Sequence, residues 1–111
     1  MGKGQSKAVP LFRGAETAPH FILIEFCGGW GYLKFASAVA DRIEAKYPGM
    51  FRIELRKDNG VTGRLEVNVY PNSKNATSGT SPIEVHTKKK GQGYPHSNWD
   101  TFEKRLTEAT S

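Results

Sequence analysis

The chain has 111 residues, one small domain's worth, with 37% apolar and 24% charged residues and a net charge of +5. Its single cysteine, Cys27, excludes an internal disulfide framework and a cysteine-rich zinc module. The strongest apolar run, Phe21-Ile22-Leu23-Ile24, is cut by Glu25 and is too short to span a membrane.

Residues 1–19 contain Gly2, Gly4, Gly14, Pro10 and Pro19 and show no sustained periodicity. They are expected to form a flexible tail ahead of a domain over residues 20–111. Within this tail, Ala8-Val9-Pro10-Leu11-Phe12 is too short, and too broken by proline, for a secretory signal, so a reducing, cytoplasmic setting is expected. Met1-Gly2-Lys3-Gly4-Gln5-Ser6 fits the N-myristoylation pattern, with Gly2 exposed once methionine is removed. One such chain gives reversible membrane contact only, helped by Lys3, Lys7 and Arg13. Membrane contact is expected only through that acyl group.

Phe21 to Phe26 is almost continuously apolar and is bounded by Pro19 and Gly28-Gly29, which predicts a central strand buried on both faces. The period then changes. Tyr32, Ala36, Val39, Ile43 and Tyr47 recur at helical spacing, Phe35 and Ala40 widen the stripe, and Pro48-Gly49 stops it. Phe51, Ile53 and Leu55 alternate with Arg52, Glu54 and Arg56, as in a strand with one buried face. Asp58-Asn59-Gly60 marks a turn, and Leu65, Val67 and Val69 give the next strand. A polar loop from Pro71 to Pro82 leads to a short strand with Ile83, Val85 and Thr87. Trp99, Phe102, Leu106 and Ala109 mark a C-terminal helix capped by Ser97 or Asn98. The expected fold is α/β, in the order β-α-β-β-β-α, with a four-stranded mixed sheet and two helices. Its first crossover is expected to be right-handed, between parallel strands.

Cys27 closes a buried strand and precedes a glycine-rich turn into a helix, where the dipole and free N–H groups favour a thiolate. The alternative is a small buried hydrophobe at a strand end. An internal disulfide would need a second thiol three residues on, and that position is Trp30. His20, His86 and His96 lie far apart and lack a close ligand pair, so no metal site is expected; His86 reads as a half-exposed surface residue. Gly91-Gln92-Gly93 is not a phosphate loop, and Asn75-Ala76-Thr77 matches a glycosylation acceptor by coincidence. The positive charge is dense only at Lys88-Lys89-Lys90 and comes with no base-reading motif, so no nucleic-acid partner is expected.

Phe26-Cys27-Gly28-Gly29-Trp30-Gly31-Tyr32 resembles the redox motif of the selenoprotein W family, a branch of the Rdx group of thioredoxin-like proteins that also holds selenoproteins T and H. The family pattern is Cys-Gly-x-selenocysteine-Gly-Tyr, or the same with cysteine in place of selenocysteine. Tyr47-Pro48-Gly49, Val61-Thr62-Gly63-Arg64-Leu65-Glu66-Val67 and the segment from Val85 to Tyr94 resemble three further family stretches, in the family's order. The resemblance implies a thioredoxin-like fold with the motif at an exposed strand–helix turn, and a redox role without a cofactor. Cys27 and residue 30 would react, and Gly28, Gly29, Gly31 and Tyr32 would form the motif loop. Glutathione, thioredoxin-system proteins, 14-3-3-type regulatory proteins or a larger assembly would be the partners.

Two departures from the family pattern are a longer hairpin, Asn72 to Ser81, and the N-terminal tail. The third is Trp30 at the selenocysteine position. UGA encodes selenocysteine when recoded and tryptophan in some genetic codes, so one reading places a selenol at position 30 with Cys27 as its partner. In the other, tryptophan is native, and the chain is a redox-inactive binding module or accessory subunit that uses Trp30 as a contact.

Overall fold

The computed structural model describes residues 11–29, 31–73, 82–87 and 99–110. Trp30, Gly2 and its myristoylation pattern, the glycosylation match, Lys88 to Lys90, Gly91 to Gly93, His96 and the Ser97 or Asn98 cap lie outside them. Seven elements run in the order β1 (Leu11–Gly14), β2 (His20–Phe26), α1 (Tyr32–Lys46), β3 (Phe51–Lys57), β4 (Leu65–Tyr70), β5 (Ile83–Thr87) and α2 (Trp99–Ala109). The five strands form one mixed sheet in the order β1-β3-β2-β4-β5.

The alternating strands dictate which face of the sheet is covered. Ile22, Ile24 and Phe26 of β2, Phe51, Ile53 and Leu55 of β3, and Leu65, Val67 and Val69 of β4 form one apolar surface. Against it pack Ala36, Val39, Ala40 and Ile43 of α1 and Phe102 and Leu106 of α2. Each fully buried side chain of this size contributes about 1.5–3 kcal/mol. β2 lies at the centre, parallel to β3 and antiparallel to β4, and its opposite face buries Phe21 and Leu23. That is the double burial its almost continuous apolar run predicts. Helix α1 ends where Pro48-Gly49 predicts: Tyr47 N–H caps Ile43 O at 2.8 Å, and Gly49 turns the chain at φ 78°. The two helices are joined by Glu103, which pairs with Arg42, while the Arg42 guanidinium stacks 5.2 Å from the Trp99 ring.

Three expectations are corrected. The sheet has five strands, not four, because Leu11–Gly14 pairs antiparallel with β3, from Leu11↔Leu55 to Gly14↔Arg52. The tail expected to reach residue 19 is therefore part of the sheet from residue 11. A strand of four residues with Leu11 and Phe12 half exposed carries no readable alternation. Charge and ring contacts hold it instead: Arg13 pairs with Asp41 and Glu44 on α1, and the Arg52 guanidinium lies 4.6 Å from the Phe12 ring. His86 is buried, at 3% exposure, rather than half exposed. A register shift where β5 meets Val67 and Asn68 accompanies the burial of Val85, His86 and Thr87 in succession, and His86 packs edge-on against Phe102. No helix among the described residues is long and apolar enough to cross a membrane.

Gly14 lets β1 close onto the sheet. It has φ 82°, and a Cβ there would sit 2.2 Å from the carbonyl oxygen of Phe51. Gly14→Ala should cost about 1–3 kcal/mol of unfolding free energy, read from the urea midpoint. An unchanged midpoint would mean that β1 adds nothing to the fold.

Candidate functional site

β2 and β3 run parallel and end together at Phe26↔Lys57. The segments that leave them, residues 27–31 and 58–64, are therefore neighbours at the same end of the sheet. Three backbone bonds zip them together. Asp58 N–H donates to Phe26 O at 2.8 Å, Gly28 N–H to Gly60 O at 2.9 Å, and Cys27 N–H to Arg64 O at 2.9 Å. The approach is close enough to require glycine at 28, where a Cβ would lie 2.4 Å from Asp58 O and 2.6 Å from Gly60 O. Gly31, at φ 70°, turns the chain into α1, whose N-terminus has no side-chain cap.

Cys27 sits under this junction. Only 1% of its surface is exposed, while Gly28 and Gly29 above it are half-buried and Gly31 is open. The resemblance implies an exposed turn; the turn is at the surface, but the sulfur lies beneath it. Gly29 N–H donates to Sγ at 3.4 Å. Burial pushes the thiol up, but the backbone N–H groups around it, that of Gly29 first, outweigh it, so the thiol lies below its ordinary range. The start of α1 adds its dipole in the same direction.

At this end of the sheet three carboxylates converge on one guanidinium. Glu25 and Glu66 face each other across β2 and β4, a like-charge pairing that is unfavourable unless it is neutralised. Arg64 neutralises it, with Nη2 3.4 Å from Glu25 Oε2 and Nη1 3.1 Å from Glu66 Oε1. Arg64 also grips Asp58 with two parallel bonds, Nε to Oδ2 at 2.9 Å and Nη2 to Oδ1 at 2.5 Å. The Thr62 hydroxyl donates to the same carboxylate at 2.5 Å. The Arg64 bonds, against the cost of burial and with help from Thr62, hold the Asp58 carboxyl below its usual range. Asp58, in turn, raises the Arg64 guanidinium, with Glu25 and Glu66 adding to the shift.

Sequence reasoning locates Cys27, Gly28, Gly29, Gly31 and Tyr32, and these do form the strand–helix junction; Tyr32 is buried against the core as the first residue of α1. It misses Asp58, Thr62, Arg64, Glu25 and Glu66 as parts of the site. Asp58 reads only as a turn residue, and the Val61 to Val67 stretch reads as a family match without a role. His20 and His86 are distant from the junction: His20 Nδ1 accepts the Asn72 N–H at 3.0 Å, and His86 packs on α2. Among the described residues, no group of three His, Cys, Asp or Glu side chains is placed to hold a metal ion.

The depressed Asp58 carboxyl stabilises the fold above the ordinary carboxylate range, and that stability is lost as pH falls through its folded value. Asp58→Asn should therefore flatten the loss of thermal stability between about pH 4 and pH 2 relative to the parent chain. Parallel stability curves for the two would show that Asp58 is not linked to folding.

No curated protein matches the chain. The model of the Rdx family matches residues 21–99, from the second residue of β2 to the first residue of α2, and so includes both the Cys27 junction and the Arg64 loop. With a β-α-β unit, a motif cysteine at its strand–helix junction and a family match over most of its length, the chain belongs to the Rdx family, a thioredoxin-like redox family.

Proposed function

We propose that the chain is a selenoprotein W-type redox protein whose reacting pair is residue 30 and Cys27, linked to glutathione, with Cys27 as the resolving partner. The observation that carries this reading is the setting of Cys27. Its sulfur accepts the Gly29 N–H at 3.4 Å yet is buried, which suits attack on an atom from the adjoining turn better than attack on a bulky substrate. With selenocysteine at position 30, the selenolate attacks a hydroperoxide oxygen. The O–O bond breaks, leaving a selenenic acid and an alcohol or water. The Cys27 thiolate then attacks selenium and expels hydroxide, which takes a proton to become water, and an S–Se bond forms. One glutathione thiolate opens that bond and is itself displaced by a second, which restores both groups and releases glutathione disulfide.

With Trp30 in place, only half of this chemistry remains. The Cys27 thiolate attacks oxidised glutathione, one glutathione thiolate leaves, and a mixed disulfide stays on Cys27. Burial of the sulfur makes that exchange slow, since the turn must open for it.

Trp30→Cys restores a two-sulfur motif and tests the pairing. Incubated with oxidised glutathione, this variant should lose two hydrogens by intact mass and retain no glutathione. The same variant with Cys27→Ser should instead hold one glutathione at residue 30. If Trp30→Cys accumulates glutathione adducts and forms no internal bond, the two positions do not work as a pair. A binding module built on Trp30 would then be the better reading.

A further inference from the structure

At the end of the sheet opposite Cys27, where β3 begins, a half-open cleft of about 220 Å³ separates β1 from the turn between α1 and β3. Its floor is apolar, made by the buried Ile43, Phe51 and Ile53, with Tyr47 set edge-on to Phe51. Glu44 also lines it, with 38% of its side chain exposed. Glu44 Oε2 is buried and makes no hydrogen bond among the described residues; Arg13 Nη2 lies 2.6 Å away but is not aligned to donate to it. The Arg13 guanidinium donates instead to Asp41. One cation thus serves two carboxylates, Asp41 and Glu44, and leaves a negative charge uncompensated. The C-terminal end of α1, the negative pole of its dipole, adds to it, since Lys46 in the last turn pairs with Glu103 of α2.

We propose that this cleft binds a small organic ammonium, a primary amine carrying one ring or a short alkyl chain, with its cation on Glu44 and its apolar body on Ile43, Phe51 and Ile53. The volume sets the size. An apolar cavity of about 150 Å³ holds benzene, while drug-sized ligands take about 300 Å³ or more, so one ring with a short arm fits. The charge sets the head group. An anionic head would be repelled by Asp41 and Glu44, and a neutral one would leave their excess charge in place. A metal ion does not suit the cleft, because its floor is apolar and the described residues hold no group of three ligating side chains. The proposal goes beyond the redox reading and uses neither Cys27 nor residue 30.

Benzylamine and benzyl alcohol, a cation and its neutral counterpart of equal size, are the probes, titrated by NMR into the isotope-labelled intact chain at fixed ionic strength. The amides of Gly14, Ala15, Glu44 and Gly49 report on the cleft. Benzylamine should shift them saturably, with a dissociation constant on the order of millimolar, and bind about five- to ten-fold more tightly than benzyl alcohol. Glu44→Gln keeps the shape and removes the charge, so the two probes should then bind equally. Ala15→Leu fills the cleft from the β1 side and should weaken both. Equal affinities in the parent chain, shifts that do not saturate, or a preference for benzylamine that survives Glu44→Gln would each overturn the proposal. So would binding that Ala15→Leu leaves unchanged.

Discussion

The parallel pairing of β2 with β3 is the constraint on which the rest of the site depends. Seven register pairs, from His20↔Phe51 to Phe26↔Lys57, force both strands to end at the same level. The connection between them must return to the start of the sheet, and α1 does so across the apolar face through Ala36, Val39, Ala40 and Ile43. The turn into α1 and the loop after β3 then meet at one end, where the backbone bonds of Cys27, Gly28 and Asp58 join them. Cys27 is held in place by the sheet itself, since its N–H continues the pairing of β2 with the chain entering β4.

Burying a thiol in that position disfavours its charged form, and backbone dipoles, led by the Gly29 N–H of the motif turn, reverse the balance without a cation. Arg64, whose carbonyl accepts the Cys27 N–H, commits its guanidinium to three carboxylates, Glu25, Asp58 and Glu66. This division matters for chemistry. A cation on the sulfur would move with salt and with the approach of an anionic substrate such as glutathione, whereas N–H groups fixed by the chain do neither.

Much of this architecture is legible in the sequence because the core segments have strong periods. The almost continuously apolar Phe21–Phe26 run, the helical stripe from Tyr32 to Ile43 and the alternations at 51–55 and 65–69 each match an element. β1 is not legible, because Leu11 and Phe12 give no period and its contacts are made with Arg52, Asp41 and Glu44, far along the chain. His86 is misjudged for a related reason: the register shift in β5 overrides the strict alternation from which its exposure is read. At the site, Cys27 stands out as the single sulfur at a strand–helix junction. The partner of that sulfur does not, because Gly29 acts through a backbone N–H that almost every residue possesses. Only the fold reveals that Asp58 and Arg64 close their loop.

The central claim is that the motif turn spends a backbone hydrogen bond, from Gly29 N–H, on the Cys27 sulfur. Amide hydrogen exchange followed by NMR, on the parent chain and on Cys27→Ala, tests it directly. The account predicts that the Gly29 amide is protected in the parent and exchanges much faster once the sulfur is gone, while the Arg64 amide, bonded to Thr62 Oγ1, changes far less. Equal exchange of Gly29 in the two proteins would contradict it.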